Sequence, residues 1–194
     1  MSRLVLGIDP GFASCGWCIA DLDTRVVHSM GVITTKKADK KLKVRAVDDN
    51  LERTKQITKV LDNLIKWGCT VEIQGRGVGP LFSAEVTACS RVYAEAMSFP
   101  RDASVAGKMN LCWGALIATA YARSVGITQN TPQEIKKKVT GAPDASKRRV
   151  ELTLKRLWKN TRGKLKGVPK RMHEHAWDAL AAITASIDPH LRLL

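Results

Sequence analysis

Three acids and one imidazole stand where this chain could do chemistry. Asp9 ends an apolar run, residues 4–8, and is followed at once by Pro10 and Gly11. Glu72 lies in a second apolar run, residues 69–73, ahead of a glycine-rich stretch. His175 and Asp178 are three apart in a late segment with helical spacing, and residues so spaced share a helix face. A carboxylate at the end of a buried strand is costly unless something positive pairs with it. A divalent cation is one such partner. Three carboxylates and an imidazole brought together could serve two metal ions, which polarise a phosphodiester, activate water and stabilise the leaving oxygen. Plainer roles stay open for each residue: Asp9 capping its own turn, Glu72 pairing with Arg76, and His175 as a half-buried helix histidine.

The charge balance narrows the substrate. Lys and Arg number 32 against 18 Asp and Glu, a net charge of +14 on 194 residues. A surface that basic points to a polyanion, with nucleic acid the first candidate. No apolar run approaches transmembrane length, and no basic helix with a strong apolar face suggests a membrane surface. The first residues enter a strand with no signal-peptide pattern, so the expected location is the cytoplasm. The five cysteines, at 15, 18, 69, 89 and 112, are scattered through apolar runs and read as reduced core thiols. Cys15 and Cys18 have the spacing of a redox or zinc pair. In a strand, however, that spacing points the two thiols to opposite faces.

The elements that must position these residues follow from periodicity. Strands are expected at 3–8, 15–21 and 26–34, joined by connections too short for parallel crossovers, hence an antiparallel meander. A lysine-rich link follows at 36–41, then a helix over 49–66. The run 69–73 is expected as a strand parallel to the first, reached through that helix. Residues 74–80 are glycine-rich but lack the Lys and Ser/Thr of a phosphate-cradling loop. Arg76 there could still meet a phosphate backbone. Further helices are expected over 83–97, 104–124, 147–158 and 171–187, with a short last strand at 126–129. Thr131, Pro132 and Glu134 read as the start of one more helix, with Thr131 as its cap. The expected architecture is one α/β domain spanning 1–194.

In combination, these motifs resemble one family. The string Gly7-Ile-Asp-Pro-Gly11, a Val71-Glu72 strand end before a turn, and His175-Ala-Trp-Asp-Ala-Leu-Ala-Ala182 resemble the RuvC family of Holliday junction resolvases. So does the basic segment Gln133 to Gly141 with Ala145 to Val150. The resemblance covers residues 3–186 in order and spacing. It implies an RNase H-like fold, with a mixed five-stranded sheet flanked by helices. It implies a homodimer that nicks two opposed strands of a branched, four-way DNA junction with Mg²⁺. By the resemblance, Asp9, Glu72 and Asp178 are the metal-binding acids, and His175 falls where members carry Asp or His. Lys136 and Lys147 match basic residues close to the cleaved strand.

The chain also departs from that pattern. A segment at about 78–106 is longer than in bacterial members and resembles phage-encoded forms; within it Phe82 could be a junction wedge or a core aromatic. Gln74 shares a strand face with Glu72 and would take the acid position if the alignment slipped by two. His175 is a poor ligand for Mg²⁺, so it implies either tolerance of Mn²⁺ or a role as base toward the attacking water. The competing readings are an RNase H-like nuclease for other branched DNA or RNA, and a non-catalytic junction binder. A two-domain actin-like ATPase needs more chain than is present.

Overall fold

The computed structural model describes residues 3–67, 89–97 and 102–187. Five strands form one mixed sheet in the order β3-β2-β1-β4-β5. β1 (Leu4–Asp9), β2 (Ser14–Asp21) and β3 (Val26–Thr34) form the expected antiparallel meander, with Asp9 opposite Gly16 and Ser14 opposite Thr34. The chain then crosses the sheet through α1 (Ala46–Trp67) and returns as β4 (Arg91–Glu95), parallel to β1. β5 (Gly126–Asn130) is added parallel to β4 after α2 (Ala103–Ala122).

Two sequence expectations are corrected here. The strand beside β1 is Arg91–Glu95, not residues 69–73: β1 has two edges, and β2 and β4 occupy them. The helix expected over 83–97 is replaced, in its described part, by that strand. Physically, Val92 and Ala94 alternate with Arg91, Tyr93 and Glu95, which is the period of a strand half facing a core. Residues 69–73, with Glu72 and Cys69, and residues 74–82, with Gln74, Arg76 and Phe82, lie outside the described residues.

Strand alternation divides the interior into two cores. Leu6, Ile8, Trp17, Ile19, Val92 and Ala94 face α1 and α2. Val5, Cys18 and Ala20 face the other helical layer. That layer holds α3 (Pro132–Thr140), α4 (Lys147–Leu157) and α5 (His173–Ala185). α3 starts where expected: Thr131 and Glu134 form a reciprocal capping box, and Gly141, with φ of 82°, ends the helix in the left-handed region. Ser146 caps α4 through the Arg149 N–H. Cys15, Cys18, Cys89 and Cys112 are buried as thiols, in keeping with a place in the core.

Candidate active site

The site is built at the carboxyl end of β1. Odd-numbered residues of β1 face the α5 layer, so Asp9 points the same way as Val5 and Gly7. The parallel register of Ile8 with Ala94 sets Glu95, next along β4, beside Asp9. Both acids therefore lie at adjacent strand ends on one face.

α5 is laid directly on that face because two glycines permit it. A Cβ at Gly7 would overlap the Ala179 carbonyl oxygen, and one at Gly16 would overlap the His175 carbonyl oxygen. Any side chain at either position would push the helix outward. With the helix seated, His175 and Asp178 face the strand acids. His175 Nδ1 lies 2.8 Å from Asp9 Oδ2. Lys147, first residue of α4, places its Nζ 3.5 Å from Asp178 Oδ2 and 3.0 Å from Glu174 Oε2.

The electrostatics record this crowding of acids. Burial pushes the Glu95 carboxyl up to about 7, reinforced by the charges of Asp9 and Asp178 and opposed by Lys147 and Lys136. Burial and the Asp9 charge push Asp178 up to about 6, against the pull of Lys147. Its hydrogen bond to Asp9 raises His175 above the usual imidazole range, against burial, which lowers it. Paired acids and perturbed titrations at a strand end are the expected mark of a functional site.

Of the residues singled out in sequence, Asp9, His175, Asp178 and Lys147 are brought together. Lys136, half-buried on α3, acts on Glu95 through its charge. Glu72 and Arg76 lie outside the described residues. The residue that sequence reasoning missed is Glu95. Its signal was present: Arg91-Val-Tyr-Ala-Glu95 alternates like a strand and ends in an acid, as the Leu4 to Asp9 run does.

Donor chemistry at this edge suits a hard divalent cation. Three carboxylates supply oxygen, and their mutual repulsion is what a cation would relieve. Among the described residues no three such side chains close into a ready-made metal cage.

Comparison with known proteins identifies the family and the fold. The family model for crossover junction endodeoxyribonuclease RuvC matches residues 81–185. Crossover junction endodeoxyribonuclease RuvC of Salinibacter ruber is 28% identical over 148 residues, 76% of this chain and 68% of that protein. The protein of that name from Pseudothermotoga lettingae is 26% identical over 181 residues, 92% of this chain and 90% of its own length. In fold, the chain is similar to Thermus thermophilus RuvC in complex with Holliday junction substrate. That likeness has a TM-score of 0.64 at 21% identity, covering 94% of this chain and 92% of the other. The matched stretch takes in β4 with Glu95 and α5 with His175 and Asp178, and the chain belongs to the RuvC family of crossover junction endodeoxyribonucleases.

Proposed function

We propose that this protein resolves four-way DNA junctions by nicking opposed strands, with Mg²⁺ as its working ion. The observation that carries this reading is the convergence of Asp9, Glu95 and Asp178 under His175 on a molecule of net charge +14. The RuvC family is divalent-metal dependent in general, and here Asp9, Glu95 and Asp178 would hold the cation. When bound, it supplies phosphate polarisation and stabilisation of the leaving oxygen.

The chain's own residues do the remaining work. Where His175 donates to Asp9 Oδ2, its proton sits on Nδ1. Nε2 is then the basic nitrogen, and it takes the proton of the attacking water. Asp9 thus orients the base as well as offering a ligand oxygen. Glu95, rather than Glu72, fills the role of the second acid. Lys147 lies partly exposed between Asp178 and Glu174, where its ammonium can meet a phosphate oxygen of the cut strand. Lys136 stands on the same edge with the same charge.

A junction offers two symmetry-related strands, so a two-fold homodimer would set one site at each. Ile117 and Tyr121, exposed and one turn apart on α2, supply apolar surface for such a contact. The test compares a four-way DNA junction with duplex, single-stranded and RNA substrates, with and without Mg²⁺. Light scattering is run alongside on the free protein and its complex. Paired nicks confined to the junction, abolished in Asp9→Asn while binding persists, are the expected result. Equal cutting of all substrates, or a monomer in both states, would overturn the respective part.

A further inference from the structure

The lysine-rich link between β3 and α1 takes no part in the site described above. β3 ends at Thr34 opposite Ser14, and Asp9 lies opposite Gly16, so the link leaves the sheet at the edge that carries Asp9. Two strand spacings separate β1 from β3, about 10 Å. Lys36, Lys37, Lys40, Lys41 and Lys43 are all exposed. Among the described residues none of the five is paired with a carboxylate. The one acid within the link, Asp39, is turned onto its own backbone, accepting from the Lys41 N–H at 2.9 Å.

The link is anchored rather than loose. Arg53 and Asp49, both buried on α1, hold its root. The Ala38 N–H donates to Asp49 Oδ1 at 2.8 Å, and Arg53 Nε donates to Thr35 Oγ1 at 2.9 Å. That hydroxyl in turn donates to the Phe12 carbonyl at 2.6 Å, and the Arg53 guanidinium lies 4.4 Å from the Phe12 ring centre. Burying a charged pair carries a desolvation cost, and a merely solvated basic loop does not need one. Here the pair ties the lysines to residues 10–13, the loop that follows Asp9.

We propose that residues 36–43 form a fixed basic strap that binds the phosphate backbone of the DNA arm beside the cleaved strand. This rests on the nuclease reading above and adds to it a binding surface outside the acidic site. Ammonium groups held in the open on the flank of the cutting edge suit a polyanion with regular charge, and backbone contacts of this kind position DNA without reading its sequence.

The experiment measures binding of a four-way junction against salt, in Ca²⁺ to prevent cutting. It compares the parent, Lys36→Gln/Lys37→Gln, Lys41→Gln/Lys43→Gln, and a control of equal charge, Lys55→Gln/Lys59→Gln, from further along α1. Every phosphate that a variant no longer neutralises should reduce the slope of log affinity against log salt by about 0.9. Both strap variants should have slopes shallower by about one to two units, while the control stays within a few tenths of the parent. Lysine acetylation of the parent, read by mass spectrometry, should show the strap protected by junction DNA. Equal reductions in strap and control variants, or parental slopes in the strap variants, would overturn the proposal; the second result would leave the strap to an acidic protein partner. If the parent itself fails to bind the junction, it is the nuclease reading that fails.

Discussion

Glu95 concentrates the conflict between stability and function at this edge. Its carboxyl is raised to about 7 by burial and by Asp9 and Asp178. A raised acid holds its proton in the folded state after the unfolded chain has released it. Below pH 4.5 the group therefore costs nothing, and stability is lost as pH rises through about 7. Glu95→Gln should then stabilise the metal-free protein at pH 8 by on the order of 2 kcal/mol. Its cleavage activity should be abolished. Urea melts in EDTA at pH 5 and pH 8 read the effect, and an equal difference at both values would mean that the Glu95 charge is not strained. For His175 the direction differs. Its hydrogen bond to Asp9 raises the imidazole above 6.5, so the neutral base forms only as pH climbs past that raised value. Single-turnover cleavage should rise through this range. His175→Ala should lose roughly 10²–10⁴-fold and lose that limb of the profile, as expected for removal of a general base. A surviving limb in the Ala variant would assign it to another group.

The element that decides the site is α5. Its first turns are seated by Gly16 and Gly7, whose missing side chains let the His175 and Ala179 carbonyls approach the sheet. Trp158 fixes the far end through its Nε1 donating to Thr184 Oγ1 at 2.9 Å, and Asn130 of β5 donates to Ser186 Oγ at 2.7 Å. Gly16→Ala must therefore displace the helix at the turn that carries His175. The cost expected for overpacking is about 1–3 kcal/mol. Cleavage should suffer more than stability does, because His175 and Asp178 would both leave their positions over Asp9. Urea midpoints and cleavage rates measured on the same preparation check this. A variant that is destabilised yet cuts at the parental rate would show that α5 tolerates the shift.

As a whole, the molecule is a strong cation, and Asp9, Glu95, Glu174 and Asp178 form an acidic cluster at one sheet edge. Lys136, Lys147 and the lysines of residues 36–43 surround or flank that edge. Affinity for DNA should consequently be dominated by phosphate contacts. With 6–10 such contacts, binding should weaken by about 10³–10⁵ between 50 and 200 mM salt. Fluorescence anisotropy with a labelled junction measures it, and a flat response would mean that the charge serves another purpose. No helix among the described residues is long and apolar enough to cross a membrane.

Local signals were enough to identify much of this protein. The apolar run ending at Asp9, the meander, the Thr131 capping box and the His175–Asp178 pair are all short-range patterns, and each lies where expected. Charge alone pointed to nucleic acid. The identity of the second strand acid was not local. Two segments, residues 69–73 and 91–95, each resemble a short strand bearing a Glu, and nothing within either says which lies beside β1. Pairing decides it: only one segment can fill the open edge of β1, and Arg91–Glu95 does so. The role of His175 was undecided for the same reason. Sequence placed it beside Asp178 on a helix, while its partner Asp9 is 166 residues away and meets it only because two glycines let α5 close onto the sheet.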